Sequence, residues 1–362
     1  MAKKTEMLRA GIVGCGAIAN QKHLPSIAET GKVDVVAFCD IVPERAEKTA
    51  KDFGTKDAKV YTEYKKLIEE SKLDMLYVLT PNKSHSFITI DALEAGLHVM
   101  CEKPMAKTSK EAKEMVAAAK KHNRLLTIGY QNRFRQDSLY VKKFVESGGL
   151  GDVYFSRAHA LRRRAVPTWG VFLNEEEQGG GPLIDIGTHA LDLTLWLTNN
   201  YKPKSVMGNV YKKLNGNGDC GNVFGPWNPG EFNVEDSAFG FITMENGATV
   251  ILESSWALNV TDYSESKATL CGTKAGVDMV NGVNVNGDHL GRLYTKTVSI
   301  MEGGVAFFMG SSKSPQVLEQ EAFINAIIDG TPLTVLPEEA CVVTEILEAI
   351  YESAKTGQLV MF

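Results

Sequence analysis

The sequence predicts an α/β protein that combines a doubly wound parallel sheet with a second, α+β domain built on a large open, mainly antiparallel sheet. Three observations lead to this fold class. Apolar strand-like runs alternate with helical stretches from residue 8 to about 130, which is the pattern of βαβ units. A glycine-rich turn follows the first run. Strand-like runs with turn-rich connections occupy 206–297, with a hairpin signal at Glu245-Asn246-Gly247.

Length and composition narrow the classes of protein to consider. The 362 residues suffice for two domains, predicted over 1–130 and 131–362. A net charge of -5 argues against nucleic acid and membrane surfaces as partners, and the polar first six residues and the lack of any long apolar run predict a cytoplasmic protein. Six scattered cysteines without a C-x-x-C pair indicate reduced thiols. We expect a small-molecule substrate and no metal.

The first predicted strand, 8–13, runs into Gly14-Cys15-Gly16-Ala17-Ile18-Ala19. In a G-x-G-x-x-A turn the first glycine permits a tight bend, the second lets a pyrophosphate approach the backbone, and a small third residue lets the helix pack on the sheet. Gly14, Gly16, Ala17 and Ile18 are therefore candidate cofactor-binding residues. An ordinary glycine turn is the alternative.

The second predicted strand, 33–38, ends in Cys39-Asp40, about 20 residues after Ala19, where an acid hydrogen-bonds the adenosine ribose of a bound dinucleotide. No arginine directly follows Asp40 to accept a 2′-phosphate, although Arg45 in the next helix lies within reach. The pattern therefore favours NAD over NADP.

The rest of the first domain repeats the alternation. Helices are predicted over 43–53, 62–70, 84–95 and 109–122, and strands over 73–79, 97–101 and 125–128. Thr80-Pro81-Asn82 and Glu102-Lys103-Pro104 each follow a strand, so they belong to the edge of the sheet where ligands bind. A plain turn with a helix cap is the alternative for Pro81-Asn82, and a packed or capping residue is the alternative for His85.

These motifs together resemble the glucose-fructose oxidoreductase and inositol dehydrogenase family (Gfo/Idh/MocA). The resemblance is carried by the G-x-G-x-x-A turn, by Thr80-Pro81-Asn82 with His85, and by His98-Val99-x-x-Glu102-Lys103-Pro104 followed by Ala106. Gly180-Gly181-Pro182-Leu183-Ile184-Asp185-Ile186-Gly187-Thr188-His189 and the ending 348–357 agree with it. It implies cofactor contacts at Thr80, Pro81, Asn82, His85, Glu102 and Lys103, and it covers almost the whole chain.

The second domain opens with Asn132-Arg133, which by the resemblance pass near the substrate; a capping role for Asn132 is the alternative. A helix over 136–146 and a strand over 153–160 follow. Arg162-Arg163-Arg164 and Trp169 then form a stretch that suits an anionic or aromatic substrate, with Arg164 and Trp169 as the candidates. A solvated loop or a subunit contact is the other interpretation.

A helix predicted over 183–197 carries Asp185, His189 and Asp192 on one stripe. A metal pair and a buried histidine–acid pair are the alternatives to a catalytic role. The loop 215–233, with Trp227, is long enough to cover a site. Helices over 315–329 and 338–355 close the chain. The resemblance also implies a homo-oligomer, a dimer, tetramer or larger.

The implied function is that of an NAD-dependent oxidoreductase that transfers hydride between a secondary hydroxyl of a sugar, cyclitol or glycoside, glucosyl C3 among them, and nicotinamide. Lys103 would donate to the reacting oxygen, His189 would act as base, Asp185 would hold a substrate hydroxyl, and Glu102 would steer the cofactor. Lys103 and His189 both remain candidates for the proton acceptor. A glycosidase using transient NAD oxidation and a non-catalytic dinucleotide-binding regulator are the competing hypotheses.

Overall fold

The computed structural model describes residues 7–300 and 313–362, which form two compact units. One unit contains the residues up to Gln131 together with Lys313–Cys341, and the other contains the residues from Asn132 to 300 together with Val342–Phe362. The predicted ranges were 1–130 and 131–362. The difference is the segment Lys313–Cys341, which lies within the predicted second domain but belongs to the first unit. Phe323 and Ile324 of this segment are buried in the core of the first unit.

The first unit contains a parallel sheet with the strand order β3-β2-β1-β4-β5-β6. Its strands are β1 (Leu8–Val13), β2 (Val33–Cys39), β3 (Lys59–Tyr61), β4 (Met75–Val78), β5 (His98–Cys101) and β6 (Leu126–Ile128). Its helices are α1 (Leu24–Thr30), α2 (Pro43–Phe53), α3 (Tyr64–Glu70), α4 (His85–Glu94), α5 (Ser109–His122) and α9 (Pro315–Asp329). Strand order reverses between β1 and β4, and a ligand crevice opens at such a point.

Local sequence accounts for several boundaries. The last four residues of β1 are buried, as expected for a central parallel strand. Thr108 and Glu111 form a capping box that begins α5, and Asn123 ends that helix in the left-handed conformation. Pro43 stands in the first turn of α2. These boundaries match the predicted ones because residues next to each end determine them.

The second unit is built on a mixed sheet with the strand order β14-β13-β12-β11-β7-β10-β9-β8-β15. Its strands are β7 (Val153–Leu161), β8 (Pro203–Tyr211), β9 (Ser237–Met244), β10 (Thr249–Ser255), β11 (Glu265–Gly272), β12 (Ala275–Asp278), β13 (Val283–His289), β14 (Arg292–Val298) and β15 (Val360–Met361). β7 pairs with β10 in parallel, and the other described pairs are antiparallel. The predicted fold class, including the mainly antiparallel second sheet, is confirmed.

The described part of the chain contributes four α-helices to the second unit. They are α6 (Gln136–Glu146), α7 (Glu175–Gln178), α8 (Thr188–Thr198) and α10 (Pro337–Thr356), the last of which begins in the first unit. The predicted helix over 183–197 is not uniform: a π-helical turn, Leu183–Gly187, precedes α8. A Cβ at Gly187 would lie 3.0 Å from Ser254 Oγ, so the turn packs closely on β10.

No helix in the described part of the chain is long and apolar enough to cross a membrane. Residues 1–6, which bear on the prediction about a secretory signal, lie outside the described residues.

Candidate active site

The glycine-rich turn leaves β1 at the crevice. Gly14 has φ +96, and a Cβ there would lie 2.5 Å from the carbonyl oxygen of Leu79, so only glycine fits. Gly16 differs: none of the described residues places an atom within 4 Å of its Cβ position. Helical structure begins at Ala17 and passes through a π-helical turn, Ala19–His23, into α1. The turn therefore presents bare backbone and a helix N-terminus to the crevice.

Asp40 follows the end of β2 and lies beside this turn. Its Oδ2 accepts a hydrogen bond from the Cys15 amide at 2.8 Å, and its Oδ1 accepts one from the Val42 amide at 2.9 Å. The side-chain amide of Asn20 donates to the carbonyl oxygens of Cys15 and Gly16, both at 2.9 Å. Strand end, turn and helix start are thus fixed to one another.

His85 joins the two loops that follow β4 and β5. The ring is wholly buried, and its Nδ1 lies 2.8 Å from the carbonyl oxygen of Pro104 while its Nε2 lies 2.8 Å from that of Thr80. Burial lowers the pKa of His85. A neutral imidazole has a single N–H, so it donates to one of these carbonyls at a time. Both loops, including the cis Lys103–Pro104 bond, are positioned through this one side chain.

Glu102 is buried under the loop that carries Lys103. Its Oε1 accepts hydrogen bonds from Lys22 Nζ and from His23 Nε2, both at 2.7 Å, and its Oε2 accepts one from the Lys103 amide at 2.9 Å. Burial alone raises the pKa of Glu102, but Lys22 and His23 outweigh it and hold that pKa well below its usual value. The carboxylate is 5 % exposed. These contacts hold the backbone of Lys103 in place, and the predicted role of Glu102 toward the cofactor stays a prediction.

A second buried carboxylate, that of Glu319, lies near Lys22. Glu319 of α9 is 2 % exposed, and its Oε2 lies 3.4 Å from Lys22 Nζ. Neither oxygen of Glu319 makes a well-formed hydrogen bond within residues 7–300 and 313–362. Burial raises its pKa to about 7, because the attraction of Lys22 offsets only part of the cost of burying the charge.

These features fit a dinucleotide. The open backbone at Gly16 and the helix that starts at Ala17 suit a pyrophosphate, and Asp40 stands at the adjacent strand end, where a ribose binds. Thr80, Pro81, Asn82 and Lys103 line the ends of the next two strands. Asn82 opens a short 3₁₀ turn, Asn82–Ser84, ahead of α4. The described residues contain no cluster of three or more metal-binding side chains.

In the second unit, Asp185 and His189 lie on consecutive turns of one helical segment. Asp185 sits in the π-helical turn, and its Oδ2 accepts a hydrogen bond from the indole nitrogen of Trp256 at 3.0 Å. His189 lies in the first turn of α8 and is 8 % exposed. Trp256 is wholly buried just beyond β10. An acid with a fixed orientation therefore stands one turn from an imidazole, which is a suitable arrangement for proton transfer.

Asp192, on the same helix, has a different role. It binds Arg133, with Nε to Oδ2 at 3.0 Å and Nη2 to Oδ1 at 2.5 Å, and both side chains are buried. Arg133 has no exposed surface, so it cannot line a substrate pocket, which corrects that expectation. Asn132 lies in a 3₁₀ turn, Gln131–Phe134, and the capping alternative is wrong because Arg135 is the N-cap of α6.

Arg162 and Arg164 of the arginine-rich stretch bind different residues of the chain. Arg162 forms a two-bond ion pair with Glu265, and Arg164 donates to Asn259 Oδ1 at 2.8 Å. Trp169 is 49 % exposed, and its ring centroid lies 4.6 Å from that of Phe224. Arg162 is therefore already paired within the chain, and a substrate contact of Arg164 or Trp169 stays a prediction. An aromatic surface of Trp169 and Phe224 remains.

The loop 215–233 contains none of the described helices or strands, and hydrogen bonds join it to the Trp169 loop. Asn222 Oδ1 accepts from the Val166 amide at 2.9 Å, and Thr168 donates to the carbonyl oxygen of Phe224 at 2.7 Å. Trp227 is 5 % exposed and donates to the carbonyl oxygen of Asn215. It is therefore a core residue of the loop, and the prediction that the loop covers a site stays a prediction.

Sequence reasoning missed Lys22, His23 and Trp256. Each acts through a contact between residues at least 70 positions apart, so no local pattern marks them. The one available signal was the placement of polar residues at 20–23 within an otherwise apolar helix start.

Two family profiles match the chain. The one described as "Oxidoreductase family, NAD-binding Rossmann fold" matches residues 8–130, and the one described as "GFO/IDH/MocA C-terminal domain" matches residues 138–278.

Curated relatives and solved structures agree with these profiles. The D-glucoside 3-dehydrogenase of Escherichia coli (strain K12) is 36% identical over 357 residues, 98% of each chain. The NADP-dependent scyllo-inositol 2-dehydrogenase of Bacillus subtilis (strain 168) is 24% identical and is matched over 97% of its length, with 99% of this chain. The aldose-aldose oxidoreductase of Caulobacter crescentus, solved with glycerol, superposes with a TM-score of 0.79 at 25% identity, covering 99% of this chain and 100% of that one.

Proposed function

The chain belongs to the Gfo/Idh/MocA family of NAD-binding oxidoreductases, and from that premise we propose that it is an NAD-dependent glucoside dehydrogenase that oxidises the C3 hydroxyl of a glucosyl unit. The observation that carries the proposal is the 36% identity to a D-glucoside 3-dehydrogenase across 98% of both chains. Sugars and cyclitols with an equivalent secondary hydroxyl belong to the same substrate class.

The residues divide the chemistry between them. Oxidation of a secondary alcohol breaks the O–H and C–H bonds, the proton goes to a base, and NAD, when bound, accepts the hydride. Gly14, Gly16, Ala17, Ile18 and Asp40 would hold the dinucleotide, together with Thr80, Pro81, Asn82 and the backbone that His85 positions. Lys103 would donate to the reacting oxygen, His189 would take the proton, and Asp185, oriented by Trp256, would bind a neighbouring substrate hydroxyl.

A substrate panel tests this proposal. Purified protein with NAD⁺ is incubated with methyl and 4-nitrophenyl β-D-glucosides, inositols and levoglucosan, and NADH is followed at 340 nm while keto products are identified by mass spectrometry. An artificial electron acceptor is added in a parallel series to reveal turnover by tightly held cofactor. A 3-keto glucoside is the expected product, and its absence together with the absence of any keto product from the panel would refute the proposal.

The same panel separates the competing hypotheses. A glycosidase that uses transient oxidation would release 4-nitrophenol without net NADH and would lose that activity when NAD is stripped. A dinucleotide-binding regulator would bind NAD and change none of the substrates.

We also propose that the chain forms a homo-oligomer through the face of the nine-stranded sheet opposite α10. Ile350 of α10 packs against Gly208 and Gly240 on one face, whereas Phe241 and Met207 on the other are 51 % and 39 % exposed. A broad half-exposed apolar face is typical of a subunit contact. Sedimentation should show a dimer or larger species, and Phe241→Glu should shift it toward the monomer.

The cytoplasm is the proposed location. Its support is that all six cysteines are free thiols, four of them buried, as expected where thiols stay reduced. Fractionation of cells carrying a tagged chain would test it.

A further inference from the structure

Glu235 lies outside the residues assigned to chemistry, yet it holds the start of the helical segment that bears Asp185 and His189. Its Oε2 accepts a hydrogen bond from the Gly181 amide at 2.9 Å, and its Oε1 accepts one from the Leu183 amide at 3.1 Å. Pro182, between them, has no amide hydrogen. One carboxylate therefore binds every amide hydrogen that residues 181–183 offer.

The surroundings of the Glu235 carboxylate are buried and tightly packed. Tyr351 of α10 donates its hydroxyl to Glu235 Oε1 at 2.8 Å, and Glu235 is 3 % exposed. A Cβ at Gly180 would lie 2.0 Å from the Tyr351 hydroxyl, and a Cβ at Gly181 would lie 2.2 Å from the Glu235 carbonyl oxygen. The Gly180-Gly181 pair is explained by this close approach. Burial raises the pKa of Glu235, while its hydrogen bonds to the Gly181 and Leu183 amides and to Tyr351 act in the opposite direction.

Two further contacts hold the same segment from β10. Ser254 donates its hydroxyl to the carbonyl oxygen of Pro182 at 2.7 Å, and Trp256 donates to Asp185. The next residue, Asp236, also binds backbone amides with its carboxylate. Its Oδ2 accepts hydrogen bonds from the amides of Lys213 and Leu214, both at 2.6 Å. Glu235 thus fixes the helix start, and Asp236 fixes the strand end from which the loop 215–233 leaves.

We propose that Glu235, supported by Tyr351, is a positioning residue that sets the orientation of Asp185 and His189 toward the substrate. The proposal rests on the catalytic role of those two residues. A shift of the helix start moves the side chains of Asp185 and His189 with it. When a catalytic group is misplaced by about 1 Å, the reaction rate can fall on the order of 10²-fold.

Glu235→Gln is the sharpest variant because it keeps the shape. A carboxamide has one acceptor oxygen and one NH₂ group, so the variant keeps the hydrogen bond to only one of the Gly181 and Leu183 amides and turns its NH₂ toward the other. Tyr351→Phe is a milder second variant that keeps both backbone bonds. Glu245→Gln is the control, since Glu245 is an exposed residue of the turn between β9 and β10.

We expect Glu235→Gln to lower kcat by about 10- to 100-fold with the dissociation constant for NAD unchanged. Tyr351→Phe should have a smaller effect in the same direction, and Glu245→Gln should behave as the wild type. Amide hydrogen exchange of residues 181–190 should accelerate in Glu235→Gln, while exchange in the first unit stays at the wild-type rate.

Unchanged kcat and unchanged exchange at 181–190 in folded Glu235→Gln would overturn the proposal. A loss of kcat that only tracks a global rise in exchange would also overturn it, because Glu235 would then be a general stability residue. The exchange measurement needs no substrate. If the wild-type protein oxidises none of the substrates, the proposed function is contradicted. The amide hydrogen exchange of residues 181–190 still shows whether Glu235 anchors the helix start.

Discussion

The guanidinium of Arg133 donates two hydrogen bonds to the carboxylate of Asp192, and neither side chain is more than 1% exposed. Arg133 lies in the turn after the first unit's last strand, and Asp192 lies on α8. This ion pair joins the turn Gln131–Phe134 to α8, about one turn after His189. Its planar, two-bond geometry suits arginine and would not be reproduced by lysine.

The first prediction concerns this pair. Asp192→Ala should lower the free energy of unfolding by about 3–5 kcal/mol, because it leaves a buried guanidinium without its counter-charge. Urea denaturation measures the change. Asp52→Ala, which removes the exposed pair between Lys48 and Asp52, is the control and should change stability little. Equal effects of the two substitutions would contradict the assignment.

The second prediction contrasts two glycines of one turn. Gly14→Ala should destabilise the fold by about 1–3 kcal/mol, since the residue needs a positive φ and its Cβ would strike Leu79. Gly16→Val has room in the folded protein and should leave thermal stability unchanged. It should weaken NAD binding at least about tenfold, or 1.4 kcal/mol, because the side chain occupies the space a pyrophosphate needs. Calorimetric titration and thermal melts measure both, and a Gly16 variant with wild-type affinity would argue against this binding mode.

The third prediction separates chemistry from binding at Lys103. Lys103→Ala should lower kcat by about 10²- to 10⁴-fold through loss of the group that donates to the reacting oxygen, with a far smaller effect on NAD affinity. Lys110→Ala, an exposed lysine of α5, is the control and should leave steady-state kinetics unchanged. Should Lys103→Ala retain full kcat, the proposed role is lost.

The fourth prediction concerns pH and Glu319. Burial raises the pKa of this carboxyl from 4.5 to about 7, so the folded state holds a proton that the unfolded state has released. Stability from this group is therefore complete below about pH 4.5 and is lost as pH rises toward 7. Glu319→Gln should remove this dependence, so the variant gains on the wild type between pH 5 and pH 8.

Urea denaturation at both pH values measures that gain. Glu321→Gln, on the same helix but ion-paired at the surface with Lys313, should keep the wild-type dependence. A Glu319→Gln variant whose stability relative to the wild type is the same at pH 5 and pH 8 would exclude the proton on Glu319.

The fifth prediction tests the aromatic surface of Trp169 and Phe224. If Trp169 contacts an aromatic aglycone, Trp169→Ala should raise KM for 4-nitrophenyl β-D-glucoside about two- to tenfold, as expected for loss of one aromatic contact, and should leave KM for methyl β-D-glucoside unchanged. Tyr154→Ala removes another exposed aromatic, on β7, and should change neither. Parallel KM shifts for both glucosides would exclude aglycone recognition.

Local signals in the sequence were sufficient for much of the fold. The bounds of α2, α5, α6 and α9 follow from caps, prolines and apolar spacing next to each end, and β1 follows from one buried run. The π-helical turn Leu183–Gly187 could not be predicted this way, because its packing depends on Ser254, far along the chain.

Some residues of the candidate site can likewise be predicted from local sequence, and others cannot. Gly14 and Gly16 are marked by their spacing together with the strand that precedes them, although the crowding at Gly14 comes from Leu79, far along the chain. The resemblance places Arg133 near the substrate, and the length of the loop 215–233 makes Trp227 part of a possible cover over a site. Only the partners in space, Asp192 and Asn215, reveal that each is buried structure.

The return of the chain to the first unit has a consequence for its biosynthesis. Phe323 and Ile324 complete a core that includes β1, β2 and β4, and Tyr77 meets Phe323 edge-on at 6.4 Å between ring centroids. A ribosome that has released residues up to Gln131 has made all six strands but not α9. Until nearly two hundred further residues emerge, an apolar flank of the nascent sheet stays uncovered. The first unit, although its strands are translated first, is therefore completed only shortly before the second unit, which ends with Val342–Phe362.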